Sequence, residues 1–593
     1  MRPRARLQLT LALGLLASSP TGCVLSSFEI ESASSGGSAG SAGAAGAAIG
    51  GVGSAGSGGI GGGVSHISQP ALVGDSYVML QGTVLERDAG GGLLANDSPV
   101  NLSVSDFSNL DPKRPRSFDA ELSVEADGSF RFAPPPRFFG SYYFTYTAQN
   151  LIGQSASSTV EVQVVPTEID LDAIIQGIGG YILYGASGGA LGAALDGAHD
   201  VNGDGRADVI IGAPGVNAGD GAAFVVFGKD DLDSVDVEPP LTGSKERRFM
   251  ALLGQPGDGA GSSVAGLGDV DDDGGADLAV GASSGNGRAY FVFARDMQAP
   301  ALTLPLGGYR IEGDGASIGP GALLRGGGDV NGDGVPDALL SSLNGDSGWL
   351  HLPYGGNQLT GAVNVTSLPA GHVRGAVAGD GFPLDAAFAG DVNGDGADEV
   401  LAASAGAFYL FRGGVELPVD ASTLSPNGAG GGYELVRAVP GQASVAGLGD
   451  INGDGIDDFG YCDGLTSCSV VLGPVSTLAN AAQFSGFRRG TKRLLVRAGG
   501  DIDGDGFADV VFADDRRVYV VYGSLLGAPP RDVRLLGSAG FSVLAAAGGS
   551  ISAVAGVGDV NHDGLADLAI ADQAADTGAG RVYVVLGNRA RER

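Results

Sequence analysis

A nine-residue acidic phrase occurs seven times in this chain: DVNGDGRAD from Asp200, DVDDDGGAD from Asp269, DVNGDGVPD from Asp329, DVNGDGADE from Asp391, DINGDGIDD from Asp450, DIDGDGFAD from Asp501 and DVNHDGLAD from Asp559. Side-chain oxygens at positions 1, 3 and 5 of a tight turn converge on one point. Position 7 adds a backbone carbonyl and position 9 a further carboxylate. Such a cage of hard oxygens suits Ca²⁺, which takes about six to eight ligands at about 2.3–2.6 Å. The glycine at position 6 of every copy permits the sharp turn that gathers them.

The phrases supply expected ligands for up to seven Ca²⁺. They are Asp200, Asn202, Asp204, the carbonyl of Arg206 and Asp208; then Asp269, Asp271, Asp273, the carbonyl of Gly275 and Asp277. The third copy offers Asp329, Asn331, Asp333, Val335 and Asp337, and the fourth Asp391, Asn393, Asp395, Ala397 and Glu399. The fifth offers Asp450, Asn452, Asp454, Ile456 and Asp458, the sixth Asp501, Asp503, Asp505, Phe507 and Asp509, and the seventh Asp559, Asn561, Asp563, Leu565 and Asp567. Asp398 stands beside Glu399, so the closing ligand of the fourth copy is open between them. His562, at position 4 of the seventh copy, reads as a loop-surface residue. Asp, Asn and Gly are also good turn formers. A turn, however, has no use for convergent carboxylates that repel one another without a cation.

The elements that must hold these loops are strands. An EF-hand needs a carboxylate at position 12 and flanking helices. Here position 12 of the first copy is Ile211, inside an apolar run, and DLAVGA, DVVFA and DLAIA come after other copies. The phrases start 69, 60, 62, 59, 51 and 58 residues apart. A period near 60 suits one four-stranded blade of a β-propeller.

The first copy runs DVIIGAPGVNAGDGAAFVVFG over residues 208–228. Gly212-Ala213-Pro214, followed by an aromatic strand ending in Phe-Gly, resembles the FG-GAP repeat of the integrin α-subunit head. The likeness extends over roughly 167–593 and is weaker where the second copy has Gly281-Ala282-Ser283. It implies a seven-bladed propeller with calcium loops between the first two strands of each blade, on one rim. Residues 169–185 read as two further strands, and the strand near 169–175 is expected to pair into the last blade and close the ring.

Residues 67–166 differ in character. Short alternating segments such as GSFRFAP, YYFTYTA and STVEVQVV, with a hairpin turn at Asp127-Gly128, indicate a β-sandwich. GLLANDS, the run 126–148 and the closing VEVQVV resemble bacterial cadherin-like repeats of immunoglobulin topology, which implies a spacer or adhesion module. Asn96 and Asp97 read as turn residues, with contact to a cation as the alternative. The fold class is therefore all-β: a small cadherin/Ig-like β-sandwich over 67–166 and a seven-bladed FG-GAP propeller over 167–593.

Net charge is −33, and 23 of the 67 acidic residues sit at positions 1, 3, 5 and 9 of the phrases. The acidity is thus largely a metal-binding signature, and it argues against a nucleic-acid partner. At the N-terminus, Arg2, Arg4 and Arg6 precede an apolar stretch at 7–17, which is too short to span a bilayer. PTGC ends at Cys23 as a bacterial lipoprotein signal ends at its lipidated cysteine, so residues 1–23 read as an export signal. Pro20 departs from that pattern, and an ordinary cleaved signal is the alternative. Residues 24–66 come next as a Gly/Ser/Ala-rich tether. Cys462 and Cys468 flank a short hairpin and read as a disulfide outside the cytoplasm, or as two buried thiols.

No nucleophile–base pattern surrounds His66, His199, His351, His372 or His562, and no metal-protease or phosphate-loop motif occurs. The lone Trp349 reads as blade filling rather than a sugar site. Two functions remain. The first is a non-catalytic cell-surface adhesion or ligand-binding protein. It would be anchored at the bacterial envelope by lipid or else secreted, stiffened by Ca²⁺, and engage a protein or glycan partner. The alternative is a secreted polysaccharide hydrolase or lyase, which requires charged side chains from different blades to meet at the channel mouth.

Overall fold

The computed structural model describes residues 68–589 apart from internal stretches, the longer ones being 110–119, 239–247, 376–380, 422–431, 438–442, 475–481, 488–492 and 524–530. The expected export signal, Cys23, the expected tether and His66 lie outside the described residues.

Residues 75–165 form two facing sheets. One has the order Asp75–Leu80, Ser155–Val165, Gly140–Gln149, Ser103–Ser108; the other runs Leu85–Arg87, Phe130–Ala133, Glu121–Val124. Alternation fixes which face is buried. Along Gly140–Gln149, Tyr142, Phe144, Tyr146 and Ala148 point into the sandwich while their neighbours stay partly exposed. Phe132 lies 5.0 Å from the Tyr142 ring, and Phe130 4.9 Å from Tyr77. The Asp127-Gly128 turn joins Glu121–Val124 to Phe130–Ala133 as a hairpin, with Gly128 at φ 86°.

From Glu168 onward the chain is a β-propeller. Seven sheets form among the described residues, and each carries one acidic phrase between its first two strands. Each blade takes the number of its phrase. The first strands of the blades lie side by side around an axis, each touching the next, and the seventh touches the first. The second strands (Asp208–Ala213, Asp277–Ala282, Asp509–Ala513 and Asp567–Asp572 among them) are buried throughout. Both of their faces meet a neighbouring blade, so they read as continuous apolar runs rather than alternating ones.

Small residues let the innermost strands approach. A Cβ on Gly266 would lie 2.1 Å from the Gly197 carbonyl oxygen, and one on Gly326 2.4 Å from that of Gly266. Outside, blades are laced together. The short strand Ala301–Thr303, which in sequence lies between two strands of blade 2, pairs in parallel with Phe249–Leu253 of blade 1, and Ala362–Asn364, between two strands of blade 3, does the same for blade 2.

Ring closure differs from expectation. Residues 171–175 form a short helix, Leu171–Ile175, capped by Asp170, whose side chain accepts from the Asp172 N–H. The strand before it, Glu168–Asp170, joins blade 6 beside Gly540–Leu544, not blade 7. The strand that completes blade 7 is Gly180–Gly185, paired antiparallel with Arg581–Val585. The apolar alternation of 169–175 serves a helix: Leu171, Ala173 and Ile174 bury together against the core.

Candidate functional site: the acidic loops

Every loop is launched by an irregularity in the first strand. Register slips just before the phrase in all seven blades, between Gly197 and His199 in blade 1 and between Gly556 and Gly558 in blade 7. Such a bulge bends the strand and re-aims the loop residues beyond it. His199 takes a left-handed φ of 57° there, where blade 7 uses Gly558 at 74°. Position 4 is left-handed as well. That explains its glycines and its two exceptions, Asp272 at 58° and His562 at 61°, residue types that tolerate this region. His562 is exposed.

The loop then folds around its own carboxylates. In blade 1, Asp200 Oδ1 accepts from the N–H groups of Gly203 (2.7 Å) and Asp204 (3.1 Å), and its Oδ2 from Gly205 (2.7 Å). Asp204 Oδ1 accepts from Arg206 N–H at 3.0 Å, and Asn202 Nδ2 donates to Asp204 Oδ2 at 3.1 Å. Blades 3 and 5 repeat this pattern with Asp329, Asn331, Asp333 and with Asp450, Asn452, Asp454. Blade 2 has Asp271 in place of the asparagine. There Arg295 reaches Asp271 and also Asp273, the latter at 3.2 Å.

Position 9 closes each loop from below. Asp208, Asp277, Asp337, Asp458, Asp509 and Asp567 are fully buried and Glu399 is 1% exposed. Each accepts two main-chain N–H groups, one from position 2 and one from just beyond the third strand. For Asp208 these are Val201 at 3.0 Å and Gly228 at 2.9 Å; for Asp509, Ile502 at 2.8 Å and Gly523 at 2.9 Å. In blade 4 the same places are taken by Glu399, which accepts from Val392 and Gly413, while Asp398 turns to the neighbouring loop. Position 9 of that blade is therefore Glu399, its extra methylene absorbed without loss of either bond.

Burial pushes these closing carboxyls up. Asp208, Asp277 and Asp458 are raised to about 7, Asp337 to about 6 and Asp509 to about 8, with nearby position-1, position-3 or position-5 carboxylates adding to the effect. Glu399 is raised to about 7 for the same reason. Carboxylate oxygens of Asp269, Asp271 and Asp273 lie within 4.8 Å of one another, as do those of Asp501, Asp503 and Asp509. Asp271 Oδ1 is buried and meets no hydrogen-bond partner among the described residues. Convergent, desolvated oxygens with one left unsatisfied fit a hard divalent cation, which would return every one of them to its charged form.

Other residues singled out from sequence behave differently. Cys462 and Cys468 are bonded to each other, S–S 1.99 Å, across the hairpin of blade 5. Asp97 is a tertiary tie: its Oδ1 accepts from Val73 N–H at 2.8 Å and its Oδ2 from the Tyr146 hydroxyl at 2.7 Å. Trp349 is half-buried beneath Arg374, 6.0 Å from its ring. His351 and His372, apart in sequence, pair across strands with Nδ1···Nδ1 2.9 Å, and Ser342 Oγ meets His351 Nε2 at 2.7 Å. Sequence reading missed this trio, whose only signal was two histidines at matching places on adjacent strands. It also missed a charged cluster in the channel. Arg325, Arg493 and Arg497 surround Asp385 at 2.7, 3.8 and 3.6 Å. Its one sequence signal is that Arg325 and Arg497 each stand four residues before a phrase. Charged side chains from different blades thus do meet within the ring.

Comparison with known proteins matches the two halves of this geometry. Residues 68–163 match the family described as a bacterial Ig domain, and residues 191–226 and 552–585 match the FG-GAP repeat. The chain carries a bacterial Ig domain followed by FG-GAP repeats. The two matched repeats are blades 1 and 7, which are neighbours in the closed ring. Integrin alpha-7 of Rattus norvegicus is 34% identical over 149 residues, 24% of this chain and 12% of that protein. Integrin alpha-PS5 of Drosophila melanogaster is 30% identical over 167 residues, 26% of this chain and 15% of that one. The FG-GAP chain thus spans under a sixth of the length of these relatives. Among solved structures, BBS1N in complex with ARL6DN is similar at TM-score 0.36 and 10% identity, over 70% of this chain and 96% of that one. No helix among the described residues is long and apolar enough to cross a membrane.

Proposed function

We propose that this chain is a non-catalytic binding or adhesion protein of the bacterial cell surface whose propeller is rigidified by Ca²⁺. The ion would be held in each blade by positions 1, 3, 5 and 9 of the phrase, with the carbonyl of position 7. An export signal over 1–23, a lipid on Cys23 and a tether over 24–66 would carry the sandwich of 67–166 and a seven-bladed propeller of 167–593 away from the membrane. A protein or glycan would be the partner. The integrin likeness of the repeats supports the binding role.

The observation that carries the metal reading is the closing carboxylate. The same desolvated acid, with the same two N–H partners, is built seven times beneath a ring of further acids. A fold gains nothing by repeating that cost unless a cation offsets it.

The test is calcium stoichiometry and stability on the full chain. Isothermal titration should show up to seven Ca²⁺ per chain. Because Ca²⁺ binds the native loops and not the unfolded chain, millimolar Ca²⁺ should raise the melting temperature by mass action, and EGTA should reverse it. Identical melting curves in Ca²⁺ and EGTA would refute the metal reading. Capture of a surface partner that depends on Ca²⁺ would support the binding role, and cleavage of surface glycans by the purified chain would overturn it.

A further inference from the structure

Blade 2 carries a cation of its own. Its phrase has Asp271 at position 3, where five other blades have asparagine. In blades 1, 3, 5 and 7 the asparagine Nδ2 donates to Oδ2 of the position-5 aspartate, at 3.1, 3.0, 3.2 and 2.9 Å. Asp271 has no side-chain N–H to give. Arg295 takes over that donation: its Nη1 reaches Asp273 Oδ2 at 3.2 Å and also pairs with Asp271 Oδ2. One guanidinium thereby replaces the amide and offsets the added charge.

The frame of the blade sets Arg295 there. Ala294 N–H donates to the closing acid Asp277 at 2.8 Å, and Arg295 is the next residue, inside the 3₁₀ turn Ala294–Asp296. Its guanidinium carbon lies 4.4 Å from the centroid of the buried Phe293 ring. At the same place after the third strand the other blades have Lys229, Gly356, Gly414, Pro474, Ser524 and Asn588. Lys229 is a cation too, but its Nζ turns to Asp231 Oδ1 and to the carbonyls of Asp231 and Asp233. Blade 6 shares the position-3 aspartate, Asp503, and has Ser524 where blade 2 has Arg295. The arginine therefore belongs to blade 2 and does not accompany every such aspartate. It also leaves its acid half satisfied. The Asp271 side chain is 4% exposed, and its Oδ1 meets no hydrogen-bond partner among the described residues. Arg295, 49% exposed, has a way out to water. A divalent ion and a guanidinium held on the same carboxylates repel each other.

We propose that Arg295 is the resident cation of the blade 2 loop: it competes with Ca²⁺ for Asp271 and Asp273 and makes blade 2 the weakest site of the ring, filled only above the Ca²⁺ level that fills the others, as Arg295 moves out to solvent. Calcium affinity otherwise rises with the charge of the ligands. With acids at positions 1, 3, 5 and 9, blade 2 without Arg295 would rank beside blade 6 and above the loops that have asparagine at position 3. The arginine reverses that order. This inference rests on the calcium reading above and concerns how one site departs from the rest.

The experiment measures binding of radiolabelled Ca²⁺ to the full chain by equilibrium dialysis. In the parent the last ion should bind at least tenfold more weakly than the mean of the others, and Asp269→Ala should delete that weak step alone. Arg295→Ala should tighten it at least tenfold. Arg295→Gln keeps an N–H for Asp273 without the charge, so it carries the test should the alanine variant lose the loop. The double variant Arg295→Ala/Asp271→Asn restores the ligand set of blades 1, 3 and 5 and should also lack the weak step. Displacement is read by phenylglyoxal labelling and peptide mass spectrometry: Arg295 should react faster in saturating Ca²⁺ than in EGTA. Arg310, paired with Glu312 on an outer strand, should react alike in both. A weak step that survives Asp269→Ala, affinities indifferent to both Arg295 variants, or labelling of Arg295 that Ca²⁺ does not speed, would overturn the proposal. No Ca²⁺ bound in any blade would refute the metal reading itself, whereas tight sites unaffected by Arg295 refute only this inference.

Discussion

The main-chain N–H of Asp398 donates to the Asp329 carbonyl at 2.8 Å, and the Asp329 N–H donates back to Asp398 Oδ2 at 2.9 Å. This reciprocal pair joins the acidic loop of blade 3 to that of blade 4. Asp457 and Asp391 repeat it between blades 4 and 5, at 3.4 and 3.1 Å. Elsewhere alanine at the same place keeps only the main-chain half, as in Ala508 to Asp450 and Ala566 to Asp501. In blade 3 the residue is Pro336, which has no N–H to give. Neighbouring loops are thus bonded to one another around most of the rim.

Asp398→Ala should therefore destabilise the fold by about 1.5–3 kcal/mol, the range for a hydrogen bond to a charged group. It should also weaken cation binding at blade 3, to which Asp398 contributes no ligand. Urea unfolding and calcium titration check both. A variant with parent-like stability would mean that the loops are held independently.

Asp509→Ala removes the acceptor of two buried N–H groups, Ile502 and Gly523. At about 1–3 kcal/mol per stranded group, the loss should be about 2–6 kcal/mol. Asp509→Asn retains an acceptor oxygen but not the charge, so it should recover part of the stability and little of the cation affinity. Equal behaviour of the two variants would show that position 9 serves only as a ligand.

His351 is held neutral. Burial, and then the adjacent His372, push its pKa down from about 6.5 to about 3. The unfolded chain then binds a proton that the fold refuses. Its contribution to stability is fully present above about pH 6.5 and falls by about 1.4 kcal/mol per pH unit as pH drops toward 3. Urea midpoints at pH 7 and pH 5 should differ in the parent and differ less in His351→Gln. The same acid slope in both proteins would place the sensitivity elsewhere.

Reduction of Cys462–Cys468, only six residues apart, should cost about 2 kcal/mol, since a short loop restrains the unfolded chain modestly. The Cys462→Ser/Cys468→Ser double variant should fold and melt a few degrees lower. A variant that fails to fold would show that the bridge does more than close this hairpin.

The repeated unit is written locally, in consecutive residues. Each phrase encodes its own turn through left-handed positions 4 and 6, its own acceptor set through positions 1, 3 and 5, and a following strand through its apolar run. These are local properties, and seven copies made the period legible. The sandwich was equally readable, because Gly140–Gln149 alternates cleanly between a buried and a solvated face. Other features depend on partners far along the chain, which folding brings together. Residues 169–175 carry the same apolar alternation whether they end in a strand or a helix, and packing against the core chose the helix. Glu399 over Asp398 was decided by which side chain could reach Val392 and Gly413 beneath the loop. The meeting of Arg325, Asp385 and Arg497 comes from ring closure, which brings residues of the third, fourth and sixth blades onto one axis with no local pattern to announce it.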